Sequence, residues 1–396
     1  MGWESVQLGQ VCEIQKQQFR DGNLPYVGME DIEGHTGKFL GSKTPRAVAS
    51  STFEFSNEHV LYGRLRPYLN KVLIPDFKGH CSSEIFPLKP NDKLTREYLF
   101  YWLSSDNIVV KINKTCTGAR MPRGNVKEVL TFDILLPPLS EQKRIVALLD
   151  TVFADLEQTR AKTEQNLKNA RELFDSYLQQ VFSQKGEGWI DNQIGSICGF
   201  QNGFAFKSKD TVDTSNTQLI RMGNLYQNIL SLDRKPAFYP NSFYDEHERY
   251  QLHKGDLIIS LTGTVDKEDY GYTVEIPDTD RKLLLNQRIA KFINIDTTAI
   301  NKRFLLRFLR SRVFLDKLYA TARGTRQANL STVTMSEMLI SYPSINRQEE
   351  LIRVIDELEK GVFNLEDIYK NKLSSIDELK KSILQKAFSG ELTATA

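Results

Sequence analysis

The sequence is written twice. Near its start stand Trp3, Leu8, Gly9 and Cys12, and Trp189, Ile194, Gly195 and Cys198 repeat them at a constant separation of 186. Later the separation locks at 206. Tyr98, Leu99, Leu103 and Ser105 answer to Phe304, Leu305, Leu309 and Ser311, and Gly118 and Arg120 to Gly324 and Arg326. Pro137, Gln142 and Asp150 answer to Pro343, Gln348 and Asp356. Leu167, Glu172, Leu173, Leu178, Gln179, Phe182 and Ser183 answer to Leu373, Glu378, Leu379, Leu384, Gln385, Phe388 and Ser389. Helical segments rich in Leu, Glu and Lys match by chance, but chance does not hold one register from 98 to 184 against 304 to 390 without a gap. The chain is a tandem duplication, and the separation slips by 20 residues in the middle of each half.

Each copy reads as a globular part followed by a long helix. Short β-like runs stand at Val60-Leu61-Tyr62, Val72-Leu73-Ile74 and Ile134-Leu135-Leu136, then at Leu257-Ile258-Ile259 and Met338-Leu339-Ile340. An amphipathic helix lies between them in each copy, over 95–104 and 301–310, a mixture that predicts α+β domains. Pro137-Pro138 precedes the first long helix, with Ser140 as its cap and Glu141 in its first turn. Asn346 starts the second, with Glu349 at capping-box spacing. Ile145, Leu149, Val152 and Leu156, then Leu167, Ala170, Phe174, Tyr177 and Val181, step mostly by threes and fours. Ile352, Ile355, Leu358, Val362, Leu365, Leu373, Ile376, Leu379, Ile383 and Ala387 do the same. This is a helix with one buried stripe. The first helix spans ~67 Å at 1.5 Å per residue and stops at Gly186 and Gly188.

A helix of that length exceeds the usual 8–20 residues of a globular core and needs a partner for its stripe. The other copy supplies one. The expected architecture is therefore α+β: two similar globular domains and a long antiparallel two-helix coiled-coil spacer, in a pseudo-twofold tandem repeat. The expected boundaries are 1–138 for the first domain, 139–184 for its helix, 185–344 for the second domain, 345–390 for the distal helix and 391–396 for a tail. Ile145, Leu149, Leu156, Leu167, Leu173, Tyr177, Ile355, Leu358, Leu365, Leu373, Leu379 and Ile383 are expected to pack helix on helix.

Composition narrows the function. Lys plus Arg number 52 against 50 for Asp plus Glu, a net charge of only +2, which does not suit a strongly basic nucleic-acid coat protein. The charge is nonetheless uneven. Residues 302–330 carry eight basic side chains and one acid, and residues 98–127 carry five and one. Cys12, Cys81, Cys116 and Cys198 form no C-x-x-C pair and have no His at ligand spacing, so reduced thiols are expected and no metal. His247-Glu248 lacks a second His at 251, where Gln251 stands, and is no zinc-protease site. The acids about Pro277-Asp278 lie too close together to come from separate strands of a nuclease site. No phosphate-binding glycine loop appears, and Pro137-Pro138 follows Leu136 rather than the Asn or Asp of an amino-methyltransferase site. No apolar run approaches the roughly 18 residues of a membrane span and no signal peptide is evident, so the expected location is the cytoplasm.

At this point the sequence resembles the specificity subunits of type I restriction–modification enzymes. Pro137-Pro138-Leu139-Ser140-Glu141-Gln142 followed by Ile145-Val146 looks like that family's entry into its spacer helix, and Ser344-Ile345-Asn346-Arg347-Gln348 is a degenerate second copy. Val60-Leu61-Tyr62-Gly63-Arg64-Leu65-Arg66-Pro67-Tyr68 and Gly255-Asp256-Leu257-Ile258-Ile259-Ser260 look like two variants of one strand-and-loop element. Gly203-Phe204-Ala205-Phe206-Lys207-Ser208 is similar to the usual opening of a target recognition domain. No single motif is specific; the combination with the duplication and the long helices is. The resemblance implies a non-catalytic subunit that recognises double-stranded DNA. Each domain would read one half of a split, asymmetric target. The helices would fix the gap and dock two modification (methyltransferase) subunits, and restriction (translocase and nuclease) subunits would join that core. No cofactor is then expected in this chain, while S-adenosylmethionine, ATP and Mg are expected in its partners. A stand-alone architectural or regulatory DNA-binding protein and a coiled-coil scaffold are the rival readings.

Phosphates call for Lys and Arg, and base edges for Arg, Lys, Asn or Gln. In the first domain the candidates are Arg64, Arg66, Tyr68 and Lys71, and Arg120, Arg123 and Asn125 in the loop led by Gly118. In the second they are Arg323, Arg326, Gln327 and Asn329 around the loop led by Gly324, and Gln287 and Arg288 beside Asn286.

Overall fold

The computed structural model describes residues 3–20, 23–118, 120–264, 267–322 and 327–393. The chain divides into two compact units, one built of residues 1–165 and 369–396, the other of residues 166–368. Each of the two 45-residue helices, Leu139–Ser183 and Ile345–Ser389, contributes to both units. Both helices begin two residues earlier than caps at Ser140 and Asn346 would give. The carbonyls of Pro138 and Ser344 accept the N–H groups of Gln142 and Gln348 and open the helical hydrogen-bond series.

The first unit holds two small sheets. One has the order Cys12–Ile14, Ile85–Pro90, Val60–Gly63, Val72–Leu73 and is antiparallel throughout. The other places Gly79–Ser82 between Tyr26–Val27, which is parallel to it, and Thr52–Phe55, which is antiparallel. A ribbon of Glu4–Gln7 with Asp133–Leu136 closes the domain. The second unit repeats the plan. Gly199–Asn202, Ile289–Ile293, Leu257–Ser260 and Thr273–Glu275 form the antiparallel sheet. Lys282–Leu285 lies between Thr217–Ile220, parallel, and Gln251–Leu252, antiparallel. Ile190–Gln193 pairs with Leu339–Tyr342 as the closing ribbon.

These pairings locate the slip between the copies, which accumulates gradually. Cys12 and Cys198 are 186 apart, the turn residues Met29 and Met222 are 193 apart, and the strand ends Gly63 and Ser260 are 197 apart. Ile85 and Ile289 are 204 apart, and the helix caps Thr95 and Asn301 reach 206. At those caps Thr95 accepts the N–H of Tyr98 at 3.2 Å and Asn301 that of Arg303 at 2.9 Å, which fixes the starts of Arg96–Ser104 and Lys302–Arg310.

Within the first unit the core gathers Leu8, Tyr62, Leu88, Tyr98, Leu99 and Trp102 with Ile145, Leu149 and Phe153 of the first long helix and Leu384 and Ala387 of the second. Phe388 meets the ring of Tyr98 edge-on at 5.1 Å. Within the second unit the core gathers Ile259, Phe304, Leu305 and Leu309 with Leu178 and Phe182 of the first helix and Ile352 and Ile355 of the second. Here Phe182 meets Phe304 edge-on at 5.2 Å. Phe182 and Phe388 are repeat equivalents, as are Tyr98 and Phe304. Each globular part is thus seated on the start of its own helix and the end of the other copy's helix. Cys12, Cys81 and Cys198 are buried and unbonded, and burial pushes the thiols of Cys12 and Cys198 up to about 12.

The helices pair antiparallel in each unit. In the first, Glu157 meets Lys380 at 3.4 Å, and Arg160, three residues on, meets Asp377, three residues back. In the second, Arg171 meets Glu366 at 2.6 Å, while Leu178 and Phe182 share a core with Ile352 and Ile355. Two lanes at sevenfold spacing form the seam. Gln142, Leu149, Leu156, Thr163, Ala170 and Tyr177 make one lane of the first helix, and Val146, Phe153, Arg160, Leu167, Phe174 and Val181 the other; all are buried or half-buried. The second helix uses Gln348, Ile355, Val362, Tyr369, Ile376 and Ile383 with Ile352, Glu359, Glu366, Leu373, Lys380 and Ala387. This is the heptad of a left-handed coiled coil.

Five expected packing residues, Ile145, Leu173, Leu358, Leu365 and Leu379, fall off the seam, and three of them are exposed. Leu173, Leu365 and Leu379 are 63%, 40% and 48% exposed. All three occupy one heptad position, three residues after a seam residue, on the flank of the stripe. Near the helix starts the globular part lies over that lane at Ile145 and Val152 and at Leu351. Farther along, Leu173, Leu365 and Leu379 have no such cover among the described residues.

Candidate nucleic-acid interface

The two candidate segments of the first unit are zipped into one surface. Past the strand Val60–Gly63, the backbone N–H of Arg64 donates to Glu84 O at 2.9 Å and Gly124 N–H donates to Arg64 O at 2.9 Å. Arg66 N–H donates to Pro122 O at 2.7 Å, and Leu65 and Arg123 form a bridge. Arg66 has a left-handed backbone, φ 51°, which turns the chain into the short helix Pro67–Leu69 and leaves Arg66 and Tyr68 exposed. Gly124 permits the contact: a Cβ there would lie 2.9 Å from Ile112 Cγ2.

The carboxylate of Glu84 ties the side chains together. Arg64 Nε donates to Glu84 Oε2 at 3.0 Å, and Arg123 Nε donates to Oε1 at 2.9 Å and to Oε2 at 3.1 Å. The Arg64 guanidinium also lies over the Phe86 ring, 5.1 Å from its centroid. Arg120 and Asn125 stand exposed on the same loop. Lys71 differs from its expected role: it is half-buried and donates to Met29 O at 2.6 Å, so it tethers two turns of the domain.

The second unit builds the same junction from other residues. Leu261 N–H donates to Arg288 O at 2.9 Å, and Leu330 N–H donates to Leu261 O at 2.8 Å. The strand Gln327–Asn329 pairs with Thr262–Thr264. Gln287, Arg288, Gln327 and Asn329 are exposed and brought to one region by Leu261. Gln287 N–H donates to Phe204 O at 3.0 Å, which sets the exposed Phe204 beside His247 and Tyr250. Arg323 and Arg326, with Gly324 and Thr325 between them, lie outside the described residues.

Glu84 was not among the sequence candidates. An acid in a strand turn carries no distinguishing signal. Its significance emerges from hydrogen bonding, which makes Arg64, Glu84, Arg123 and Gly124 the counterparts of Leu261, Arg288, Asn329 and Leu330. Phe204 was noted in sequence as part of a domain opening; its place beside Gln287 depends on tertiary contact. Among the described residues no group of His, Cys, Asp and Glu is arranged to hold a metal ion. His247 instead belongs to the aromatic cluster, with Nδ1 3.0 Å from Phe243 O. Among the described residues no helix is long and apolar enough to cross a membrane.

A family model described as the type I restriction modification DNA specificity domain matches residues 1–167 and 186–375. The chain is 24% identical over 422 residues to the type I restriction enzyme MjaVIII specificity subunit of Methanocaldococcus jannaschii, covering 98% of this chain and 93% of that one. It is 25% identical over 432 residues to the StySPI specificity subunit of Salmonella potsdam, covering 99% and 90%. A solved structure described as the structural basis of complex assembly and conformational transition of the type I R-M system shares the fold. Its TM-score is 0.82 at 21% identity over 98% of both chains. The HsdS subunit of Thermoanaerobacter tengcongensis gives a TM-score of 0.63 at 21% identity, covering 98% of this chain and 97% of that one.

Proposed function

The chain belongs to the DNA specificity subunit family of type I restriction–modification systems, and from that premise we propose that each of its units reads one half of a bipartite, asymmetric target in double-stranded DNA. The observation that carries this reading is the repeated junction. In both units one two-sheet scaffold draws a strand end and a loop from farther along the chain together and presents Arg and Asn side chains there, with Gln added in the second unit. These are the residue types that read base edges in the major groove. Their identities differ between the units, so the two halves of the target differ and no palindrome is required.

The long helices set the gap between half-sites and dock two copies of a modification subunit. A surface feature supports the docking role. Leu148 and Val354 are repeat equivalents and both are exposed, at 38% and 45%; Leu173 and Leu379 are likewise equivalent and exposed. Apolar residues recurring on both copies suit two molecules of one partner. The chain's own role is binding. Methyl transfer with S-adenosylmethionine, and ATP- and Mg-dependent translocation and cleavage, belong to the modification and restriction subunits of the complex.

The test is binding of duplex DNA by the chain assembled with its modification subunits, across a salt series. Phosphate contacts make log affinity fall linearly with log salt, and a target-bearing duplex is held about 10³-fold or more tighter than an unrelated one. Salt-independent binding marks a scaffold. Tight specific binding by the chain alone marks a stand-alone regulator.

A further inference from the structure

Glu84 holds the place in the first unit that Arg288 holds in the second. Glu84 O accepts the N–H of the residue after the strand end, Arg64, and Arg288 O accepts that of Leu261. The residue before each junction glycine or leucine is Arg123 in one unit and Asn329 in the other. The first unit therefore carries an Arg-Glu-Arg set where the second carries Leu-Arg-Asn. Arg288 is exposed and has no ion pair among the described residues, whereas the Glu84 carboxylate accepts three hydrogen bonds of 2.9–3.1 Å and keeps only 21% of its side-chain exposure.

That saturation decides what Glu84 does. Both of its oxygens are engaged by the two arginines, so it is poorly placed to accept a cytosine amino group. Its partners are differently placed. Arg64 and Arg123 meet it through Nε and keep 31% and 39% of their side-chain exposure. Among the described hydrogen bonds neither terminal nitrogen of Arg64 is engaged, and Arg123 uses one for a 3.4 Å contact to Met121 O. An arginine fork reads guanine through N7 and O6. A long side chain already held in one direction loses less freedom on binding than a free one.

We propose that Glu84 is a positioning residue that fixes Arg64 and Arg123 as guanine readers, so that the half-site of the first unit is selected for guanine through this pair. The half-site of the second unit is read at the same place by Arg288 and Asn329. This rests on the DNA-reading function proposed above.

The experiment uses the full chain assembled with its modification subunits and a panel of duplexes in which each base pair of the target is replaced in turn. With the native chain, replacing one or two G·C pairs of one half-site weakens competition binding by about 5- to 150-fold each. With E84A those penalties shrink to within about 3-fold, while discrimination at the other half-site stays as it was. The R64K/R123K double variant keeps both charges, lacks the forks, and shows the same loss; it carries the test if E84A does not assemble. Full penalties in R64K/R123K, or in an assembled E84A, overturn the proposal. So does an E84A loss spread equally over all duplexes, which marks a general structural role. A native complex that discriminates no duplex fails at the DNA-reading function itself and takes this inference with it.

Discussion

Tyr101 donates its hydroxyl hydrogen to Asp150 Oδ1 at 2.5 Å, and the repeat-equivalent positions hold Arg307 and Asp356, joined at 2.8 Å. One contact between globular part and helix is thus made by a neutral donor in the first unit and by an ion pair in the second, where Glu359 adds a second carboxylate at 2.5 Å. The duplication preserved the joint and exchanged its chemistry. The Arg307 side chain is only 9% exposed, so its charge depends on these partners.

Arg307→Ala leaves the Glu359 carboxylate, 26% exposed, without its cation and leaves Asp356 with Arg303 alone, at 3.2 Å, at a cost of about 1–3 kcal/mol. Arg307→Tyr recreates the pair of the first unit and is expected to cost clearly less. Denaturant unfolding of the second unit, followed through Trp189, checks this order. Equal losses for the two variants contradict it.

Gln142 and Gln348 are fully buried and make matching brackets. Gln142 Oε1 accepts the N–H of Thr95 at 2.9 Å while its Nε2 donates to the carbonyls of Lys93 and Pro137 at 2.8 and 3.0 Å. Gln348 does the same with Asn301, Ala299 and Pro343 at 2.8, 3.0 and 2.8 Å. Each bracket pins the cap of a domain helix to the start of a long helix. Replacement by Ala leaves buried backbone groups unpaired and is expected to cost about 2–3 kcal/mol at either site. Glu restores the size and not the N–H donors, so it should not rescue. Thermal unfolding of the four variants tests both statements.

His59 makes the first unit acid-sensitive. Ser56 N–H donates to its Nδ1 at 3.0 Å, so the ring is the neutral form whose Nε2–H donates to Gln15 Oε1 at 2.9 Å. Burial, with Lys89 nearby, holds its pKa below the ordinary 6.5 against the opposing pull of Glu58 and Glu13. The unfolded chain then binds a proton that the folded chain resists. The contribution is present above pH 6.5 and is lost as pH falls from there toward the depressed folded value. His59→Gln should flatten the dependence of stability on pH between about 5 and 7. An unchanged slope contradicts the assignment.

Leu173 and Leu379 separate folding from assembly. Because both are exposed, Leu173→Asp and Leu379→Asp are expected to change the stability of the chain by no more than about 0.5 kcal/mol. Each should weaken association with the modification subunit, measured by sedimentation of the co-expressed complex. A loss of about 2–5 kcal/mol, the cost of truncating a core leucine, would show that these residues pack inside the chain.

The parts of the molecule that were legible in sequence are those governed by local periodicity and by repetition. The two long helices, the domain helices over 95–104 and 301–310 and the shared register of Gln142 and Gln348 could all be read there. A stripe at threes and fours does not say which flank is covered, and so Leu173, Leu365 and Leu379 were misplaced. Cover depends on how far the globular part reaches along each helix. The Glu84 link was hidden for another reason. Its equivalence to Arg288 passes through strand pairing at a separation of 204, between the two registers that the sequence displays. Lys71 looked like a surface cation because nothing local to it announces Met29 O, 42 residues away in sequence.

The most direct test of the central claim is to co-express the chain with its modification subunit and map methylated adenines across the host DNA. Methylation is expected at a single split motif, two short unlike half-sites with a fixed gap, and an Arg288→Ala chain is expected to relax one half-site while leaving the other and the gap intact. Methylation at a contiguous motif, no dependence on this chain, or relaxation of both halves together would contradict that claim.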